Sequence, residues 1–220
     1  MEKYFEVIRS VSLFQGIAPD KLAAMLQCLS ADRLEFQKKT LILMAGDKPE
    51  NIGVVLAGAV HVVKEDLEGK RTILAALCPG ELFAEALCCA EVSESPVSVS
   101  ADSGAAVMLL RFSRILRTCQ NSCVFHQKLI ENMLAVVARK NLFLQKRMEI
   151  LALKSVRAKV TSYLSSLAAK QGRSLTLSMN REEMADYLCV ERSALSHELM
   201  KMKRDGLIRY RKNQFELLYL

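Results

Sequence analysis

Apolar positions change rhythm midway along this chain. In the first half they fall in short runs at residues 40–44, 54–63, 72–77, 97–101 and 107–110. Turn signals separate the runs: Gly46-Asp47, Gly58, Glu68-Gly69-Lys70, Pro79-Gly80 and Asp102-Ser103-Gly104. Val97, Val99 and Ala101 alternate with Ser98 and Ser100, the period of a half-buried strand. Regularly spaced short strands of this kind predict a sandwich or barrel. Ahead of them Leu22, Met25, Leu26 and Leu29 recur at helical spacing, and Pro19 with Asp20 suits a first turn.

In the second half the period lengthens. All four Pro lie at or before Pro96, and neither Gly nor Pro occurs in the 67 residues between Gly104 and Gly172. A stretch without these breakers fits helices, not hairpins. Residues 113–153 are predicted as the longest helix, with Leu129, Met133, Val136, Val137, Lys140, Leu144, Met148 and Leu151 recurring every three or four residues. Roughly 40 residues at about 1.5 Å each exceed what a small domain buries on one side. The helix either packs on the strands as a core element or pairs with a second copy of itself. The second reading is favoured because the apolar stripe outlasts the strands that would cover it. A further amphipathic helix is predicted over 155–170, closed by Gly172 as a C′ residue, then a short alternating strand over 174–179.

Residues 180–208 carry the most specific pattern. Asn180 followed by Glu183 forms a capping box. A two-turn helix with Met184, Ala185 and Leu188 inward is broken at Cys189-Val190-Glu191. A second helix starts at Arg192, with Leu195, Leu199 and Met202 inward, and ends at Gly206. Two short helices, a tight turn and a small residue at the crossing make a helix-turn-helix. Arg192, Ser193, Ser196, His197 and Lys201 face outward on the second helix, whose N-terminal end enters the major groove in this motif. Cys189 stands where the backbone needs φ > 0 and Gly is usual, and Glu191 is an indifferent N-cap. Residues 207–217 alternate like a hairpin with a basic tip suited to phosphate, giving a winged helix-turn-helix. The competing reading is a protein-interaction bundle with a merely solvated outer face.

Charge agrees with the pattern. Residues 1–105 hold 10 basic and 15 acidic side chains, a net of −5, while residues 106–220 hold 21 and 9, a net of +12. Such asymmetry points to nucleic acid or an anionic surface. The excess is not confined to the winged motif: residues 111–154 hold 9 basic and 2 acidic side chains, residues 155–220 hold 12 and 7. With 51% hydrophobic residues the chain is too apolar for disorder. No run is long enough to span a membrane, and the start carries acids and lacks a cleavable apolar core, so no secretory signal is expected. The seven Cys, at 28, 78, 88, 89, 119, 123 and 189, therefore read as cytosolic thiols, not a disulfide framework. A cytoplasmic location is expected.

These residues together resemble the Crp/Fnr family of bacterial transcription regulators, over nearly the whole chain. The front is similar to the family's cyclic-nucleotide-type β-roll through Leu13-Phe14-Gln15-Gly16-Ile17, Gly46-Asp47, Gly58-Ala59-Val60 and Pro79-Gly80-Glu81-Leu82-Phe83. The back resembles its DNA reader through Glu182-Glu183-Met184-Ala185-Asp186-Tyr187-Leu188 and Arg192-Ser193-Ala194-Leu195-Ser196. The resemblance implies an α+β chain: a β-roll of jelly-roll type over 1–112, a dimerisation helix over 113–153 and a winged helix-turn-helix over 154–220. It implies base reading by Arg192, Ser193 and His197, His197 replacing the family's usual Arg. The full DNA-contacting set is then Arg181, Arg192, Ser193, Ser196, His197, Lys201, Arg211 and Lys212. Double-stranded DNA, a second copy of the chain and RNA polymerase are the implied partners. The hinge between sensor and reader falls near 151–155.

The resemblance also implies an effector pocket at Gly80, Glu81, Leu82, Phe83, Pro96, Val97 and Leu144. Relatives that bind cyclic AMP follow the Gly-Glu pair with an Arg that neutralises the cyclic phosphate. Here no Lys or Arg occurs between Arg71 and Arg111, and Glu81, Glu85, Glu91 and Glu94 crowd the region. A buried phosphate without a cation is badly solvated. A response to cyclic AMP is therefore not expected, and the pocket holds another small effector, uncharged or an organic acid, or none. The cofactor is unknown. The N-terminal Cys cluster of the family's iron–sulfur sensors is absent, and neither His61 nor His126 sits in a haem motif. Cys119 with Cys123, which suit one helix face, and the vicinal Cys88-Cys89 read as buried or inert thiols. No catalytic constellation is present, so the chain is not expected to be an enzyme. The alternative function is a small-molecule or redox signalling module acting through protein partners.

Overall fold

A computed structural model describes residues 2–66, 68–69, 71–116, 124–177 and 179–218. The chain divides into two compact units, Met1–Arg139 and Lys140–Leu220. It is an α+β protein. The first unit opens with α1 (Phe5–Ser10) and α2 (Pro19–Cys28), followed by β1 (Asp32–Phe36), β2 (Leu41–Leu43), β3 (Asn51–Ala57), β4 (Val60–Glu65), β5 (Arg71–Leu77) and β6 (Leu82–Phe83). Then come α3 (Glu85–Cys89), β7 (Ser98–Ala101), β8 (Ala105–Arg111) and α4 (Phe112–Leu116). Two four-stranded antiparallel sheets result, ordered β1-β8-β3-β6 and β2-β7-β4-β5.

The sheets face each other across Val55, Val60, Phe83, Val99 and Val107. The other face of the first sheet, through Ile52, Val54, Met108 and Leu110, packs against Met25, Leu29 and Leu129 of the helices and the chain beside them. β3 is therefore buried on both faces, which accounts for its nearly continuous apolar run. One strand of the expected pattern changes, and two, β1 and β6, are added to it. The run over 54–63 splits at Gly58, whose φ of +76° turns the chain and where a Cβ would lie 2.3 Å from Gly104 O. β1 was not predicted: it is an edge strand with charged, exposed positions, the usual protection of an unpaired edge.

The helix expected over 113–153 is described as α4 and α5 (Val124–Ala152), 29 residues long. Residues 117–123, with Cys119 and Cys123, lie outside the described residues. The second unit continues with α6 (Val156–Gln171), β9 (Ser174–Thr176), α7 (Arg181–Leu188), α8 (Arg192–Arg204), β10 (Ile208–Arg211) and β11 (Gln214–Leu217). β9 joins the hairpin as the third strand, in the order β10-β11-β9. In the hairpin Ile208 pairs with Leu217 and Tyr210 with Phe215 on the core side. Arg209 with Glu216 and Arg211 with Gln214 face outward. Among the described residues no helix is long and apolar enough to cross a membrane.

Candidate functional site

The reading head is built outward from Asn180. Its Oδ1 accepts the amides of Glu182 and Glu183 at 2.9 and 3.0 Å, and Glu183 Oε2 accepts the Asn180 amide at 2.7 Å. Two orphan donors are satisfied reciprocally and α7 starts there. It ends because Cys189 takes the left-handed conformation, φ +49°, so the positive φ expected at this turn is held by Cys in place of Gly. Lys159 on α6 donates from Nζ to the carbonyls of Leu188 and Cys189 at 3.1 and 3.4 Å. A cation at these last carbonyls also opposes the helix dipole.

The expected inward residues of α7 and α8 are all buried: Met184, Ala185, Leu188, Leu195, Leu199 and Met202. Packing of that face turns Arg192, Ser193, Ser196, His197 and Lys201 to solvent. Glu191 contributes no side-chain cap to α8, so the first amides of α8 remain available to another acceptor. A second contact from α6 fixes α8. Arg157 Nε donates to Glu198 Oε1 at 2.5 Å and its Nη2 to Asp205 Oδ2 at 2.7 Å. These hydrogen bonds, Glu198 first, raise the guanidinium pKa above its ordinary value.

Arg181 is engaged within the protein. Its guanidinium lies 4.7 Å from the Phe215 ring centre and 5.2 Å from that of Tyr210, and Nη2 donates to Lys212 O at 2.6 Å. Burial lowers its pKa from the ordinary value. The contact ties the start of α7 to the wing's two-residue turn, Lys212-Asn213, where Lys212 has φ +53°. An open groove of about 810 Å³ then gathers Arg181, Arg192, Arg211 and Lys212 with Asn180 and Gln214. Ser193, Ser196, His197 and Lys201 lie along α8 outside its lining. Sequence reasoning missed Arg157, Lys159 and Arg147, whose guanidinium sits 4.7 Å over the Tyr187 ring. Their partners are remote in sequence, 41 and 48 residues away for Arg157, and no local motif marks them.

In the first unit, the turn at Gly80 is fastened to β3: Gly80 N donates to Val55 O at 2.8 Å and Val55 N to Glu81 O at 3.0 Å. Glu81 is exposed, and its carboxylate folds back to accept the Cys78 amide at 2.7 Å. Leu82 and Phe83 are buried. Phe83 packs over Gly53, and it lines a cavity of about 160 Å³ with Ile42, Leu43, Lys48 and Leu109. Pro96 is exposed and Val97 half-buried, both outside that cavity. Leu144 belongs to the second unit, exposed on α5. His61 Nδ1 is 3.6 Å from Asp102. Cys88 is buried, and burial first, then Cys89 and Glu85, push its thiol up to about 12.

A two-sheet sensing roll and a winged helix-turn-helix on one chain define a DNA-binding transcription regulator with an effector-binding domain. The chain matches the cyclic nucleotide-binding domain over residues 33–122 and the Crp-like helix-turn-helix domain over 158–220. It is 26% identical over 197 residues to the cyclic AMP receptor protein of Thermus thermophilus, covering 90% of this chain and 88% of that one. The crystal structure of the Thermus thermophilus catabolite activator protein shares the fold with a TM-score of 0.55 at 23% identity, covering 94% of both chains. The c-di-GMP responsive regulator CLP of Xanthomonas campestris shares it with a TM-score of 0.60 at 18% identity, covering 89% of this chain and 98% of that one. The chain belongs to the Crp/Fnr family of transcription regulators.

Proposed function

We propose that the chain acts as a homodimer that reads a pseudo-palindromic operator through α8 and the wing. The carrying observation is the polar, exposed outer face of α8 beside a groove lined by four cationic side chains. Arg192 suits guanine O6 and N7 in the major groove, whereas His197 offers at most one donor to a base edge. Arg211 and Lys212 at the wing suit phosphate, which carries affinity without sequence information. Arg181 supports the wing and approaches DNA at the groove floor. Exposed Leu134, Leu142, Leu144 and Met148 on α5 support pairing with a second copy. Two readers so joined address half-sites about 34 Å apart.

The effector is a small molecule other than cyclic AMP. A cyclic phosphate does not fit the residues present: the stretch 72–110 supplies no Lys or Arg, Glu85 is buried and Glu81 is spent on its own turn. Such a regulator works in the cytoplasm beside RNA polymerase and catalyses no reaction of its own. Selection from random duplex followed by gel shift tests the reading, and failure to enrich any palindrome sinks it. Arg192→Ala lowers the ratio of specific to non-specific affinity, whereas Lys212→Ala weakens all sequences alike.

A further inference from the structure

The outer face of α8 carries one large side chain that makes neither a hydrogen bond nor an ion pair. Met200 is 59% exposed. The other large apolar residues of α8, Leu195, Leu199 and Met202, are buried in the reader's core. Met200 stands three, four and seven residues after His197, Ser196 and Ser193. That spacing puts all four on one face of the helix, and all four are exposed. At 1.5 Å per residue Met200 lies about 4.5 Å along the axis from His197, close to one base-pair step of roughly 3.4 Å.

A single exposed apolar residue is ordinary on most surfaces. Here it sits in the row of side chains that faces the major groove in the operator reading. Base edges in that groove are hydrogen-bonding groups, with one apolar exception, the C5 methyl of thymine. Against a donor or acceptor edge, Met200 displaces water and returns no hydrogen bond, which is unfavourable. Against the thymine methyl, two apolar groups leave water together. The long unbranched side chain and polarizable sulfur adapt to such a surface. Its neighbours at helical spacing, Ser196, His197, Lys203 and Arg204, are polar or cationic and exposed. Along the helix, then, Met200 is not the centre of the wide apolar patch that a protein partner covers. A basic rim around a small apolar spot suits a polyanion that carries methyl groups.

We propose that Met200 is a specificity-determining residue, packing on the C5 methyl of a thymine in each half-site, one base step beyond the position met by His197. This rests on the operator reading above. It adds a selection for thymine at that step, made by burial instead of hydrogen bonding.

The test uses the full chain and the duplex enriched by selection. Each thymine of a half-site is replaced in turn by deoxyuridine, which lacks only the C5 methyl, and affinity is measured by anisotropy. At one position the unaltered chain is expected to lose roughly fourfold in affinity per half-site, the size of one buried methyl group. Met200→Ala is expected to bind the thymine and uracil duplexes alike at that position and to keep its sensitivity to base changes opposite Arg192. Met200→Leu should keep the discrimination. Met200 is exposed, so these variants are expected to fold, and their thermal unfolding is compared with that of the unaltered chain. An unaltered chain indifferent to every thymine methyl overturns the inference and leaves operator reading standing. So does a Met200→Ala chain that still discriminates thymine from uracil at the same position. Failure to enrich any operator overturns the operator reading and this inference with it.

Discussion

Single side chains set the reader's geometry. Arg157 holds Glu198 of α8 and Asp205 at its C-terminal end, and none of these is a proposed DNA contact. Arg157→Met is expected to weaken operator binding several-fold by loosening α8. The dependence of affinity on salt stays unchanged, because no phosphate contact is lost; anisotropy titrations over a salt series check both. Cys88 acts on stability instead. Its thiol donates to Pro49 O at 3.3 Å, and burial raises its pKa from 9.0 to about 12. The folded state therefore keeps a proton that the unfolded chain has already released. The stabilisation is full below about pH 9 and drains away as pH rises toward about 12. Denaturant titrations across this range should show that alkaline loss, and Cys88→Ala should flatten it.

At the scale of elements, legibility follows locality. α7 and α8 were readable because their cap, turn and inward positions lie within a few residues of one another. The left-handed turn was legible from its place between the two helices and not from its residue, since Cys189 stands where Gly is usual. β1 was not readable, since an edge strand carries charge where a buried strand would alternate. The partners of Arg157 and the joining of β9 to the wing depend on tertiary packing that no local period records. The effector-pocket residues rest on the family resemblance and on no local pattern of this chain, and Leu144 belongs to the other compact unit. Two substitutions probe the elements. Asn180→Ala removes the reciprocal cap and should cost about 1 kcal/mol. At Gly53 a Cβ would lie 1.9 Å from Phe83 Cζ. The ring is buried and has little room to yield, so Gly53→Ala should cost roughly 1–3 kcal/mol. Thermal or denaturant unfolding measures both.

For the whole molecule, charge points to the kind of partner and pattern to the surface proposed to meet it. The basic excess extends well beyond the reader, since residues 111–154 carry 9 basic side chains against 2 acidic ones. The same stretch presents Leu142, Leu144 and Met148 to solvent on α5. If those apolar residues pair two copies, Leu144→Glu with Met148→Glu places like charges in the seam. Sedimentation should then report half the mass, and operator affinity should fall toward its non-specific level. Titration calorimetry with cyclic AMP should show no saturable heat in the unaltered protein; a saturable heat would mean that a cation from elsewhere reaches the roll.

The wing's strand pairing also restricts how this chain can change length over evolutionary time. Ile208, Tyr210, Phe215 and Leu217 face inward in strict alternation with Arg209, Arg211, Gln214 and Glu216. One codon inserted or deleted inside either strand swaps the two sets, burying arginines and exposing the aromatic pair. A codon added at Lys212-Asn213 lengthens only the tip. Natural length variation in this hairpin should therefore concentrate at the tip, where it alters reach toward the DNA backbone and leaves the core untouched.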